Sequence, residues 1–231
     1  MLSELRAIAP LLGAEFADVR IVDVVDVPAV VNACVYGFAV RAGEAPGDDR
    51  PLVAINSATI ERDAIAGRVE ACTRSVFIHE LGHLATLEPF VWSDFHVELI
   101  GDQMATFREE RLRRASLRPQ PESYAVDPSH DDRFVRAALH VFGRAEQLGI
   151  DASPRDMFTS CGAGWMSDVE HYLQVLRGEI IELRGELYAD ILATDPPAAF
   201  DELWAGDVAH YHQNEEERCN YLQTRLALSK T

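Results

Sequence analysis

The chain has 231 residues, of which 48% are apolar and 26% charged, so it can form one large or two small domains with a substantial core. Its formal net charge of −17 opposes contact with phosphate backbones, and we expect no nucleic-acid partner. We also expect no membrane span and no secretory signal, because the sequence has neither a run of about 18 apolar residues nor a basic leader before an apolar block. Four scattered cysteines without a C-x-x-C pair favour a reduced, cytoplasmic setting.

The first part of the chain combines a short helix with β-rich segments. Apolar residues at helical spacing predict an amphipathic helix from Leu2 to Leu12, and apolar runs predict strands that include Cys34–Val40 and Leu52–Ile55. Between these two strands, Gly43–Pro51 is rich in glycine, proline and aspartate, which is typical of a turn. If the two strands pair, they form a hairpin with a long tip.

The next predicted helix carries the most informative residues of the chain. It begins near Arg68 and ends before Pro89, and it contains the H-E-x-x-H motif from His79 to His83. Residues four apart lie on one face of a helix, so His79 and His83 can direct two imidazoles at one ion. Zinc accepts imidazole and carboxylate ligands and keeps an open position in catalytic sites, which makes Zn²⁺ the expected metal.

Glu80 lies beside the two histidines, where it can act as the general base and not as a ligand. The alternative interpretation is that His79 and His83 are ordinary helix residues and that Glu80 is a solvated charge. The helical context that the motif requires favours the metal-binding interpretation.

A second helix supplies candidates for the third ligand. It is predicted to begin after Ser93-Asp94, a favourable cap, and it carries Glu98 and Asp102 on one face. Glu98 is the preferred third ligand, and Asp102 could accept a hydrogen bond from the distal nitrogen of a ligand histidine. Asp94, His96 and Asp102 remain rival ligands, and a solvated acidic face remains the alternative.

The proline-containing stretch 118–129 is the best candidate for a domain boundary. Beyond it, helices are predicted over 131–148, 166–194, 200–212 and 215–228. If the metal site activates water for attack on a carbonyl, it also needs a donor that stabilises the oxyanion. Tyr211 and His212 are the preferred donors, with His171, Tyr172 and His210 as further candidates.

The residues Val53-Ala-Ile-Asn-Ser57, Phe77 to His83 and Glu98 to Ala105 resemble gluzincin-type metallopeptidases, most closely the ImmA/IrrE-like group. This resemblance covers about residues 50–115 and includes Glu98, Asp102 and Ala105, with Gly101 where alanine is usual. It implies a zincin-like metal-binding domain with a small sheet and the active-site helix, which the boundary above places over 1–118. Together with the mostly helical region that periodicity predicts over 119–231, the expected fold class is α+β. The resemblance also implies that Val53, Ala54 and Ile55 line the substrate cleft, where a peptide would add to the strand edge.

We therefore expect a zinc metallopeptidase that cleaves a protein or peptide, with Glu80 as the general base. One alternative keeps the zincin fold but acts on a small molecule or serves as an interaction module. Another is a helical di-iron carboxylate protein, since Glu80-Leu-Gly-His83 is also an E-x-x-H sequence. That site would need a second E-x-x-H, and the chain has none.

Overall fold

The computed structural model describes residues 1–27, 36–40, 42, 49–86, 130–159, 169–211 and 213. These residues form a mixed α+β structure that is mostly helical and has one small sheet, so the predicted α+β class is confirmed. In chain order the elements are α1 (Leu2–Leu12), β1 (Arg20–Asp23), β2 (Gly37–Val40), β3 (Leu52–Ile55), α2 (Ser57–Asp63), α3 (Val69–Ala85), α4 (Asp132–Gln147), α5 (Pro154–Thr159), α6 (Val169–Glu182), α7 (Tyr188–Ala193) and α8 (198–211). No helix within these ranges has the length and apolar character that crossing a membrane requires.

The sheet has the strand order β1-β3-β2. The strand β3 runs parallel to β1 and antiparallel to β2, so the predicted hairpin is confirmed. The prediction that Leu52–Ile55 offers a free edge to a peptide is wrong, because β3 is the central strand and hydrogen-bonds to a neighbour on each side. Val53, Ala54 and Ile55 are fully buried, and they cannot line an open cleft.

The helix α3 is buried between the sheet and α4. Every residue from Ser75 to Gly82 is buried, which is the expected pattern for a helix that packs on more than one side. Near its start, the hydroxyls of Thr73 and Ser75 donate to the carbonyls of Val69 and Ala71. The helix that carries the motif is therefore held in place by the sheet on one side and by α4 on the other.

The helix α4 begins where the side chain of Asp131 accepts a hydrogen bond from the Phe134 amide at 2.8 Å. This is an N-cap, and it satisfies one of the amides that the first turn leaves without a partner. The apolar face of α4, including Phe134 and Ala138, belongs to the main core together with residues of α3. The cap therefore fixes the point at which the chain enters α4.

The main hydrophobic core draws on both sides of the predicted boundary, from Leu5 in α1 to Val208 in α8. A smaller apolar cluster covers the other face of the sheet and includes Val22, Phe38 and Leu52. The proposed division into residues 1–118 and 119–231 stays a prediction. The region predicted as one helix over 166–194 contains α6 and α7, with a non-helical break at 183–187.

Candidate metal centre

Three histidines converge on one point at the interface of α3 and α4. The Nε2 atom of His79 lies 3.2 Å from Nε2 of His83, one helical turn away. It also lies 3.1 Å from Nε2 of His130, a residue 51 positions along the chain. One ligand atom from each histidine lies within 4.8 Å of the other two. Within the described ranges, this is the group of side chains that could hold a metal ion.

The separations between these nitrogens fit a shared metal ion. Two imidazole nitrogens bound to one tetrahedral zinc lie about 3.3 Å apart, given Zn–N bonds of about 2.0–2.1 Å. Hydrogen bonds alone account less well for the arrangement. A neutral imidazole has one acceptor nitrogen with a single lone pair, yet Nε2 of His79 faces both His83 and His130. The residues present therefore fit a divalent ion bound by three nitrogens.

The environment keeps His79 in the form that binds metals. Burial lowers the pKa of His79 well below its usual value, and repulsion from His130 lowers it further. The ring is thus neutral at physiological pH, as a metal ligand must be. Its other nitrogen, Nδ1, is buried beside the backbone of Met157 without a hydrogen bond of good geometry. A proton on Nδ1 would leave the lone pair of Nε2 for the ion.

Phe134 forms a wall against all three imidazoles. Its ring stacks on His83 with centroids 4.2 Å apart and an interplanar angle of 27°. It meets His79 and His130 edge to face, with centroid distances of 4.8 Å in both cases. Of the three histidines, His79 and His130 are buried and His83 is half-buried. The open side of the cluster is therefore nearest His83.

Glu80 lies on the face of α3 that meets the sheet. Its side chain is 4% exposed, and burial raises the pKa of its carboxyl to about 8. A Cβ atom added to Gly37 would come within 3.1 Å of Glu80 Oε1 and 3.0 Å of Val76 Cγ1. The absence of a side chain at Gly37 thus provides the space that the Glu80 carboxyl occupies beside β2.

The structure brings together two of the three predicted ligands, His79 and His83, and adds His130. Sequence reasoning did not select His130 as a ligand, because it lies outside the motif helix and no fixed spacing relates it to the motif. The one local signal is that His130 directly precedes Asp131, the cap of α4, and this does not indicate that it lies near His79.

The other predicted site residues have different outcomes. Glu98, Asp102 and His212 lie outside the described residues, so their roles stay predictions. Tyr211 is half-buried near the end of α8, and its role as an oxyanion donor also stays a prediction.

Comparison of the chain with protein-family models, with curated proteins and with solved structures finds no match.

Proposed function

We propose that this protein is a zinc-dependent peptidase with a zincin-like arrangement of its active-site helix and sheet. The observation that carries this proposal is the convergence of three histidine Nε2 atoms, two of them from an H-E-x-x-H helix. His79, His83 and His130 would hold the ion, and the catalytic Glu80 follows His79 directly. When bound in an open three-ligand site, zinc polarises a carbonyl and makes water a better nucleophile at neutral pH.

Glu80 is the proton-transfer group in this proposal. Burial alone would keep the Glu80 carboxyl protonated, and a divalent cation held beside it would favour the carboxylate. That carboxylate takes a proton from the attacking water as the C–O bond forms, and then delivers the proton to the amine as the C–N bond breaks. Its position between α3 and Gly37 holds the carboxyl at one end of strand β2. The water oxygen adds to the carbonyl carbon, and the amine leaves with the transferred proton.

Among the strands that the structure describes, β2 lies at an edge of the sheet and β3 does not, so a peptide would add to β2. The Asn56 amide donates to the Tyr36 carbonyl at 2.8 Å. In an antiparallel pair every second residue directs its amide and carbonyl toward the partner strand. Phe38 and Val40, which follow Tyr36 at intervals of two, therefore direct their backbone groups toward β3 as Tyr36 does. Gly37 and Ala39 therefore present their amides and carbonyls on the opposite side, where an extended peptide could pair. Such a peptide would run past Gly37, beside Glu80.

A small-molecule substrate is the second candidate. The low exposure of His79, Glu80 and His130, 1%, 4% and 6% respectively, favours a reactant small enough to enter through the side nearest His83. The di-iron alternative receives less support, because the metal-binding cluster in the described part of the chain consists of histidines without a carboxylate ligand. We further propose that the protein acts in the cytoplasm, where the free thiol of Cys72 would stay reduced.

The test combines metal analysis with a peptide-library digest. We expect about one zinc per wild-type chain and cleavage of some peptides. Glu80→Gln should keep the zinc and lose cleavage, because glutamine has nearly the same shape but cannot act as the base. Glu70→Gln is the matched control, since Glu70 is an exposed residue of the same helix, and it should retain both properties.

Each outcome distinguishes between the candidates. Cleavage by Glu80→Gln at the wild-type rate would exclude Glu80 as the base. Stoichiometric zinc without any peptide cleavage by wild type would favour the small-molecule candidate. The absence of metal from wild type under zinc-replete conditions would refute the metal centre itself.

A further inference from the structure

His130 lies beside His79 in a structure in which α3 and α4 approach closely at Gly82. A Cβ atom added to Gly82 would lie 2.8 Å from Ala138 Cβ, 3.1 Å from Ala138 Cα and 3.2 Å from Phe134 Cε2. Real Cβ atoms essentially never make contacts below 3.0 Å. Ala138 belongs to a helix and has no flexible side chain that could move aside, so an added methyl group must push the two helices apart.

The contact at Gly82 is coupled to the ligands through Phe134. Phe134 lies one helical turn from Ala138, and its ring packs against the imidazoles of His83 and His130. His130 directly precedes the cap that starts α4. A shift of α4 away from α3 would therefore move the Phe134 ring and His130 together, while His79 and His83 stay on α3.

We infer that Gly82 is a positioning residue for the metal centre: by admitting Ala138 and Phe134 against α3, it sets the distance of His130 from His79. This inference rests on the proposed function, because it concerns the same ion. The remaining x position of the motif, Leu81, is an ordinary buried core residue. Gly82 thus contributes to metal binding through packing, although it offers no ligand atom.

The experiment measures zinc affinity and the visible spectrum of the cobalt-substituted full-length protein. We expect Gly82→Ala to weaken zinc binding by roughly ten- to a hundred-fold, the usual cost of disturbing a contact that orients a ligand. We also expect an altered cobalt spectrum, which reports the number and geometry of the ligands. Adding Ala138→Gly to Gly82→Ala removes the closest clash and should recover part of the affinity.

Two glycine variants separate positioning from a general loss of packing. Gly178→Ala is the benign control, because Gly178 lies within α6 and an added Cβ meets no atom within 4 Å. Gly143→Ala is the steric control, because its Cβ would lie 2.5 Å from Ile180 Cγ2, on the side of α4 that faces α6. Both controls should retain wild-type zinc affinity and the wild-type cobalt spectrum.

A pair of phenylalanine variants keeps the test decisive if Gly82→Ala does not fold. Phe134→Leu should weaken zinc binding about tenfold. Phe158→Leu is its matched control: Phe158 is equally buried, but its ring lies 6.3 Å from that of His79. The control should bind zinc as wild type does.

The inference would be overturned if Gly82→Ala folded and kept wild-type affinity and spectrum, or if Gly143→Ala weakened binding equally. Where Gly82→Ala does not fold, unchanged affinity in Phe134→Leu would overturn it. Failure of wild type to bind zinc or cobalt would instead refute the proposed function, so the two failures are distinguishable.

Discussion

Replacement of His130 by alanine separates the ligand set that the geometry favours from the one that the sequence pattern favours. Four-ligand zinc sites bind with apparent free energies of about 10–16 kcal/mol, which corresponds to about 2.5–4 kcal/mol for each ligand. Loss of His130 should therefore weaken zinc binding by about two to three orders of magnitude. We expect isothermal titration of the metal-free protein to measure this change directly.

Thermal unfolding gives an independent measure of the same loss. Zinc at about one hundred times its Kd raises the free energy of unfolding of wild type by about 2.7 kcal/mol. For a chain of this size, that corresponds to an increase in Tm of roughly 5–10 °C. At the same zinc concentration, His130→Ala should gain about 0.4 kcal/mol or less, and its Tm should hardly respond to zinc.

The matched control is His140→Ala. His140 is a fully buried histidine of α4, but its Nε2 lies 2.6 Å from Glu179 Oε1 and outside the metal cluster. This variant should be less stable yet keep the full zinc-dependent gain in Tm. Wild-type zinc affinity in His130→Ala would refute the three-histidine site, and Glu98→Ala should then be the variant that loses the metal.

Two further predictions concern the sheet edge and the packing behind α4. Ala39→Pro removes an amide that points away from β3, a place where edge strands tolerate proline. Introduced into the Glu80→Gln protein, it should leave zinc binding unchanged but weaken the binding of an uncleaved peptide, as measured by fluorescence anisotropy. Unchanged peptide affinity would exclude the β2 edge as the binding site. Glu179→Gln leaves the buried guanidinium of Arg136 without its 2.9 Å ion pair and should lower the free energy of unfolding by about 3–5 kcal/mol at pH 7 in denaturant titrations. Burial raises the pKa of Glu179, but hydrogen bonds from His140 and Arg136 outweigh it and leave that pKa below its usual value. The higher free energy of unfolding of wild type relative to Glu179→Gln should therefore be present above the unfolded pKa of about 4.3. This difference should decline as the pH falls through the lower pKa of the folded protein, and a difference that grows in acid would contradict the prediction.

The sequence was sufficient for the features that depend on local periodicity. The spacing of His79 and His83 determines that their imidazoles meet, because a helix places residues four apart on one face. The hairpin of β2 and β3 followed from two apolar runs separated by a turn. In each case the residues that interact are close in sequence or belong to one regular element.

The features that sequence reasoning missed depend on tertiary packing. The central position of β3 results from its pairing with β1, which no local pattern specifies. His130 becomes a neighbour of His79 only when α4 packs against α3, since the two residues are 51 positions apart. The break between α6 and α7 was also missed. There, Arg144 of α4 donates to the carbonyls of Leu183 and Glu186, and this contact compensates for hydrogen bonds that a continuous helix would make.

The H-E-x-x-H helix of this chain has a packing neighbour on each of two faces. Successive residues of a helix point about 100° apart, so His79 and Glu80, the proposed ligand and the proposed base, project from α3 in different directions. In this chain α4 meets the histidine face and β2 meets the glutamate face. Each approach depends on a glycine: Gly82 admits Ala138, and Gly37 leaves room for Glu80 Oε1. The packing that buries α3 on both sides is therefore the same packing that places His130 beside His79 and strand β2 beside Glu80.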